Sequence, residues 1–225
     1  MSDENIFCMH TGVLGVNTYI VLLSPATAAI IDPGGNAQKL AAFLTEKNLS
    51  LKAILLTHTH FDHIGAVAQL KAQFAQAAII CHKEEKQFLG NGALQSQLEW
   101  FGNGGMDRFI SRSVVNDMPA ADVLLSGGEV LFEDSVNFEG GFKVFHTPGH
   151  SAGSVCFYNR TQNVLFSGDT LFAGTWGRTD FPGGSDEKMR SSLKMLLTTL
   201  PEETVVFPGH ENFTTISAEK GLLQY

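Results

Sequence analysis

Runs of apolar residues separated by short polar breaks predict several β-strands near the start of the chain. Segments 17–23 and 28–32 are rich in β-branched and aliphatic residues and flank the short stretch SPAT, so we expect a hairpin there. Continuous apolar runs at 51–57 and 77–81 predict two further strands.

Two helices are predicted between those strands. One covers residues 36–49, with Asn36 as its N-cap, and the other covers residues 61–74, where apolar side chains recur at helical spacing. Strands and helices therefore alternate through residues 28–81, which is the pattern of an α/β layer structure.

Segment 90–121 has no clear periodicity. It is rich in glycine and contains the adjacent aromatic residues Trp100 and Phe101. This composition fits either a mobile lid with an aromatic tip or a surface loop whose aromatic side chains pack onto the body of the protein.

The second half of the chain is rich in predicted strands. Five short apolar segments between residues 128 and 169 follow one another at regular spacing, which favours antiparallel pairing. A helix is predicted over residues 185–200, with Ser185 as its cap and Glu187 near the third helical position. A last strand is predicted over residues 203–210.

Composition and charge restrict the class of protein. The 225 residues are 44% hydrophobic and have a net charge of −8 without a basic tract, which argues against nucleic acid and anionic membranes as partners. The first residues lack the features of a secretory signal, and no run approaches ~20 uninterrupted apolar residues. We therefore expect a cytoplasmic protein without a membrane span.

With no repeat or linker, a single domain over residues 1–225 is expected.

The three cysteines do not form a recognisable motif. Cys8, Cys81 and Cys156 lie far apart, and two of them are inside apolar runs. We expect reduced thiols, most of them buried, rather than a disulfide framework or a catalytic cysteine.

The strongest candidate for chemistry is the stretch THTHFDHIG at residues 57–65. If the chain stays extended beyond its strand, His58 and His60 project to the same side. Asp62 and His63 lie near the start of the next helix, so their side chains point in different directions. Buried imidazoles repel one another when protonated, and this spacing therefore indicates a metal site.

The glycine that follows this motif also has a predicted role. Gly65 removes a side chain where the helix comes close to a neighbouring backbone or to the site itself. The motif would lie in the crevice beyond the carboxyl end of a strand, where α/β proteins usually bind ligands.

Three later segments each deliver one polar residue to the end of an apolar strand. His150 and His210 each follow a Pro-Gly turn, and Asp169 follows a strand and a glycine. A catalytic zinc ion takes three protein ligands and water, so seven candidate ligands suit two ions that share one carboxylate. A shell of nitrogen and oxygen atoms suits zinc, iron or manganese. The candidates are His58, His60, Asp62, His63, His150, Asp169 and His210.

The remaining histidines are not predicted to bind metal. His146 lies on a predicted strand four residues before His150, and a structural role or a supporting role behind the ligands is expected for it. His10 and His82 have no motif around them.

The four segments THTHFDH, TPGHS, SGDTLF and FPGHE, in this order, resemble the metallo-β-lactamase superfamily over about residues 15–212. The resemblance implies a four-layer αβ/βα sandwich with two mixed sheets and outer helices. It also implies that two divalent ions, zinc by preference and iron or manganese as alternatives, bind at one edge of the sheets. In that pattern, the first ion is held by His58, His60 and His150, the second by Asp62, His63 and His210, and Asp169 bridges them.

Within the superfamily, GDTLFAGTWGRTDFPGGS together with PGHE resembles the glyoxalase II group, and especially its compact bacterial members. The implied reaction is hydrolysis of a small-molecule thioester, such as the glutathione-linked S-D-lactoylglutathione, by a hydroxide that bridges the two metals. Asp62 and Asp169 are the implied catalytic residues, and Asp62 would also orient the nucleophile. Longer members have a C-terminal helical domain that supplies glutathione contacts, whereas about 15 residues follow His210 in this sequence, so we expect the glutathione contacts to differ from theirs.

Other readings of the same motifs stay open. WGRTDFPGG also resembles the persulfide dioxygenases of the superfamily, which use one iron. Hydrolysis of a lactone, a phosphodiester or an amide and a non-catalytic metal-binding role are further alternatives. Arg178 and Asp180 are expected to form an ion pair that braces the loop of Asp169 or, alternatively, to contact the substrate.

Overall fold

The β-rich first part of the sequence folds into one six-stranded mixed sheet. The structure is a computed structural model and describes residues 4–102 and 105–224. Its contacts divide the chain into two compact units, Met1–Leu125 and Ser126–Tyr225. The single domain expected over the whole chain stays a prediction.

In the first unit, the strands lie in the sheet in the order in which they occur in the sequence. The first three pair antiparallel, and from the third strand onward the pairing is parallel. Hence the carboxyl ends of four neighbouring strands meet at one edge. The strands are β1 Ile6–Thr11, β2 Val16–Ser24, β3 Thr27–Ile31, β4 Ser50–Leu55, β5 Ala78–His82 and β6 Val123–Leu125.

Helices follow the parallel strands of the first unit. The helix α1 buries one apolar side, formed by Ala37, Leu40, Ala41 and Leu44, as its periodicity predicts. A 3₁₀ helix covers Lys83–Phe88 after β5. The α-helices are α1 Ala37–Glu46, α2 Phe61–Ile64, α3 Val67–Gln73, α4 Ala93–Phe101 and α5 Asp107–Ser113.

The second unit contains another six-stranded mixed sheet. Its pairings are antiparallel except for one parallel pair in the middle. The strands are β7 Val130–Leu131, β8 Phe142–His146, β9 Val155–Asn159, β10 Val164–Gly168, β11 Val205–Pro208 and β12 Thr214–Thr215. The helices are α6 Asp186–Thr199 and α7 Ile216–Glu219, followed by a 3₁₀ helix at Lys220–Gln224. Across the described ranges, none of the helices combines the length and the apolar character that a membrane crossing requires.

The core of the second unit forms where α6 packs on its sheet. Met189, Leu193 and Leu196 on the helix are buried in one cluster with Leu165 and Val206 from the central strands. The helix begins after the predicted cap Ser185. The Ser185 side chain accepts a hydrogen bond from the backbone N–H of Lys188, the residue at the third helical position.

The hairpin predicted at the start of the chain is confirmed, and Asn36 occupies the predicted N-cap position of α1, although its side chain does not cap the helix. The strands β2 and β3 pair antiparallel around the SPAT turn. Asn36 precedes α1 with a left-handed backbone (φ 55) and makes no side-chain bond to the helix. Its Oδ1 accepts from the Gly12 backbone N–H at 3.0 Å instead, so the side chain ties two turns together.

The single helix predicted over residues 61–74 is in fact two helices. The chain breaks between α2 and α3, where the Ala66 N–H donates to the Pro33 carbonyl at 2.8 Å rather than to a helical carbonyl. A Cβ atom at Gly65 would lie 2.3 Å from the Gly34 carbonyl oxygen. This close approach of two backbones is the role predicted for Gly65.

Segment 90–121 contains α4 and α5, and the expectation of an irregular loop was therefore wrong. Phe101 is buried, with its ring centroid 5.3 Å from that of Phe88, whereas Trp100 is partly exposed. Asn103 and Gly104 lie outside the described residues. A lid function for this segment stays a prediction.

Several strand assignments also differ from expectation. Residues 135–140 form no strand, although Phe138 is fully buried and its ring centroid lies 4.9 Å from that of Phe142. The strands β1, β6 and β12 were not predicted, and the three residues of β6 and the two of β12 are too few to show alternation. The three cysteines form no disulfide, and burial raises the pKa of the Cys8 thiol to about 11 and that of Cys81 to about 12.

We predict that Gly65→Ala destabilises the protein by about 1–3 kcal/mol, because the added methyl group collides with main-chain atoms that cannot move aside cheaply. Urea unfolding of the metal-free protein measures this change. Gly221→Ala is the matched control, since a Cβ there meets no atom within 4 Å. Equal unfolding midpoints for the two variants would contradict the assigned packing.

We predict that Ser185→Ala lowers the free energy of unfolding by about 1 kcal/mol through loss of the cap of α6. Ser191→Ala serves as its control, because Ser191 is exposed inside the same helix and its hydroxyl only donates back to the Glu187 carbonyl. Thermal unfolding of both variants, compared with the unsubstituted chain, tests the cap. A loss of the same size in both variants would argue against it.

Candidate metal-binding site

The predicted histidine motif lies directly beyond the carboxyl end of β4 in the first unit. The backbone of His60 is extended, and α2 then begins with Phe61. The ring of His58 lies with its centroid 4.6 Å from that of His60 and 4.1 Å from that of His63. All three rings are buried. Such a cluster is unfavourable when protonated, and its nitrogen donors suit a divalent cation.

Asp32 supports this cluster from the end of β3, and sequence reasoning missed it. Its Oδ1 accepts from the Thr57 N–H at 2.8 Å, and its Oδ2 accepts from the Thr57 hydroxyl at 2.6 Å. The same Oδ2 lies 3.0 Å from His63 Nδ1. A proton on Nδ1 directed at the carboxylate leaves Nε2 as the atom that binds metal. The signal in the sequence was a carboxylate at the end of a strand, immediately before Pro-Gly-Gly.

Two further contacts define the surroundings of the motif. The Thr57 hydroxyl lies 3.1 Å from His58 Nδ1, so the Asp32 carboxylate orients His58 through this hydroxyl. Asp62 is buried in α2, and its Oδ2 lies 3.8 Å from His63 Nε2. Asp32, His58 and His63 each offer a ligand atom within 4.8 Å of the others, although both carboxylate oxygens of Asp32 are already engaged.

In the second unit, the structure brings together the other three predicted ligands. Asp169 follows β10, and its Oδ2 lies 3.6 Å from His150 Nε2 and 3.8 Å from His210 Nε2. These distances exceed those of hydrogen bonds. Ligand atoms at ~2.0–2.2 Å from one tetrahedral zinc ion lie roughly 3.4 Å apart. The spacing therefore fits donors that share cations, with one carboxylate oxygen near two imidazoles.

The backbone of the WGRTD loop contacts His150 and Asp169 of this group. His150 Nδ1 lies 2.8 Å from the Arg178 carbonyl oxygen, to which it donates, so that Nε2 is directed toward Asp169. The Gly177 N–H donates to the Asp169 carbonyl at 3.1 Å. A Cβ at Gly177 would lie 2.1 Å from that same carbonyl oxygen, and only glycine permits this approach.

The predicted ion pair between Arg178 and Asp180 is present but exposed. Two guanidinium nitrogens of Arg178 each lie 2.6 Å from an Asp180 oxygen, and the guanidinium also lies over the Phe181 ring at 4.0 Å. The hydrogen bonds from Arg178 lower the pKa of the Asp180 carboxyl to about 2. The contacts that hold Asp169 and His150 come from the backbone of this loop, and the role of the ion pair itself stays a prediction.

The three histidines outside the motifs have other surroundings. His146 ends β8, and its Nε2 lies 3.0 Å from the Ala152 carbonyl, which agrees with a structural role. His82 is buried and its Nδ1 accepts from the Glu84 N–H at 3.3 Å. His10 is exposed on β1.

The sequence of this chain is similar to those of known metal-dependent proteins. The sequence profile of the metallo-β-lactamase superfamily matches residues 11–210. A protein of Haemophilus influenzae, hydroxyacylglutathione hydrolase GloC, is 40% identical over 193 residues, which cover 86% of this chain and 84% of that protein.

Solved structures show the same similarity. The crystal structure of the B3 metallo-β-lactamase BLEG-1 is 35% identical with a TM-score of 0.81, over 98% of this chain and 100% of that chain. The structure of TTHA1623 in a di-iron-bound form is 36% identical with a TM-score of 0.78, over 94% and 96% of the two chains. These similarities confirm the predicted α/β sandwich class with two mixed sheets. The chain belongs to the metallo-β-lactamase superfamily.

Proposed function

We propose that the chain is a binuclear metal hydrolase whose substrates are thioesters linked to glutathione, such as S-D-lactoylglutathione. The seven predicted ligands hold two divalent ions, with zinc proposed and iron or manganese as alternatives. His58, His60 and His150 bind the first ion. The second ion is bound by Asp62, His63 and His210, and Asp169 bridges the pair. A cytoplasmic location is part of the same proposal.

One observation carries the binuclear proposal. A single oxygen of the Asp169 carboxylate lies within 4 Å of both His150 Nε2 and His210 Nε2, as the distances of 3.6 and 3.8 Å record. These two imidazoles are the ones assigned to different ions, and the short distance of one carboxylate oxygen to both of them supports Asp169 as the proposed bridge. Similarity to hydroxyacylglutathione hydrolase GloC supports the thioester as substrate.

The side chains of the site act by holding and orienting. A pair of bound divalent ions supplies a water of near-neutral pKa and polarises a carbonyl group. Asp32 and the Arg178 carbonyl fix the rotation of His63 and His150. Asp62 is buried next to His63 and is proposed to orient the attacking oxygen. The leaving thiolate, with a thiol pKa of about 8.5, departs without a proton from a general acid.

β-Lactam hydrolysis is the second candidate function. It is favoured by the similarity over the whole chain to the B3 metallo-β-lactamase BLEG-1. The persulfide dioxygenase reading rests on the WGRTDFPGG stretch. All three activities would use ligands of the same type, so metal content and substrate have to be measured together.

We predict about two metal ions per purified chain and hydrolysis of S-D-lactoylglutathione that stops on chelation and returns with added Zn²⁺, because two ions are needed to activate water and polarise the carbonyl. Elemental analysis and a thioester assay on the same preparation test this. A cephalosporin substrate and oxygen uptake with glutathione persulfide serve as the comparison assays. One iron per chain with oxygen uptake would contradict the proposal in favour of the persulfide dioxygenase. Turnover of the cephalosporin alone would contradict it in favour of β-lactam hydrolysis.

We predict that Asp169→Asn lowers kcat/KM for the thioester by at least about 100-fold and reduces metal content, since the amide cannot bridge two cations as a carboxylate does. Asp134→Asn is the control, because Asp134 is exposed on a loop of the same unit. Steady-state kinetics and elemental analysis of both variants make the comparison. Full activity and metal content in Asp169→Asn would remove the bridge from the proposal.

A further inference from the structure

Thr59 separates the two histidines of the HxH pair and is itself completely buried. Its N–H belongs to the peptide plane that follows His58, and its carbonyl belongs to the plane that precedes His60. Rotation of either plane would swing the attached imidazole. The groups that hold the polar atoms of Thr59 therefore control the relative orientation of the two rings.

Glu85 holds the first of these planes. It lies in the 3₁₀ helix after β5, and only 1% of its surface is exposed. Its Oε2 accepts from the Thr59 N–H at 2.9 Å and from the Thr59 hydroxyl at 2.7 Å. The same hydroxyl lies 3.1 Å from the Glu85 carbonyl oxygen. Burying a carboxylate is costly unless donors surround it, so this contact accounts for an acidic side chain at a buried position.

The second plane is held from α4. Gln97 is fully buried, and its Nε2 donates to the Thr59 carbonyl at 2.6 Å. Phe101 is one turn further along the same helix, with its ring centroid 4.5 Å from that of His60. The segment predicted as a lid or loop thus contributes a helix that contacts His60 through Phe101 and Thr59 through Gln97.

We propose that Glu85 is a positioning residue for metal binding, and that it acts through Thr59 to set the spacing of His58 and His60. This inference rests on the metal site of the proposed function. Gln97 completes the arrangement by fixing the opposite side of the same residue. Together they hold both peptide planes between the two ligands, so that the imidazoles do not have to be ordered when a metal binds.

The test measures the affinity of the demetallated full chain for Zn²⁺ by competition with a chelator. Glu85→Ala is expected to weaken binding about 10- to 100-fold, as loss of a partner behind the ligands does in other metal sites. Glu85→Gln retains an acceptor oxygen for both Thr59 donors and is expected to recover most of the affinity. Glu84→Ala, at the exposed neighbouring position, is expected to leave it unchanged.

A purely structural role would leave the affinity of a folded protein unaltered. Circular dichroism therefore accompanies each titration, and only variants that are folded without metal are compared. If Glu85→Ala does not fold, Thr59→Val carries the test, since it removes the hydroxyl contact and retains the N–H. An affinity loss of about fivefold is expected for it.

Two results would overturn the inference. One is a folded Glu85→Ala protein that binds Zn²⁺ as tightly as the unsubstituted chain. The other, where Glu85→Ala is unfolded, is unchanged affinity in Thr59→Val. Failure of the proposed function is distinguishable from these two results. In that case the unsubstituted chain itself would bind no pair of Zn²⁺ ions or hydrolyse no thioester.

Discussion

The cost of burying imidazoles and carboxylates together is the constraint on which the candidate site depends. Such groups lose hydration on burial, and rings that face one another repel when protonated. In both units, acceptor groups from outside the motifs offset this cost by hydrogen bonding to the imidazoles. The Asp32 carboxylate accepts a hydrogen bond from Nδ1 of His63, and the Arg178 carbonyl accepts one from Nδ1 of His150. Each contact leaves Nε2 as the atom directed at the proposed metals.

Close backbone contacts make these arrangements possible. A Cβ at Gly34 would lie 2.1 Å from the Asp62 carbonyl oxygen. A Cβ at Gly65 would lie 2.3 Å from the Gly34 carbonyl oxygen. The short helix that carries Asp62 and His63 therefore packs directly on the turn after β3. Because of this packing, Asp32, two residues before Gly34, is close enough to bond with His63.

Local patterns failed where long-range main-chain contacts decide the structure. Apolar periodicity continues unbroken through residues 61–74, but the Ala66 N–H pairs with Pro33 and ends α2. Asn36 occupies the N-cap position of α1 as predicted, yet its side chain bonds to Gly12 and not to the helix. Segment 90–121 shows no simple period, because α4 directs both the polar Gln97 and the apolar Phe101 inward.

The amino-acid sequence by itself determined the alternation of strands and helices through residues 28–81, the family, and the seven polar candidate ligands that lie near the ends of apolar strands. These features are local, since a strand, a Pro-Gly turn and a ligand are neighbours along the chain. The tertiary structure alone decided which groups support the ligands. Asp32, Glu85 and Gln97 are distant in sequence from the histidines they serve. The burial of Glu85 and Gln97 has no local signature, and the position of Asp32 before Pro-Gly-Gly does not reveal that its partner is His63. Their roles follow only from the folding that brings them to the same edge of the first sheet.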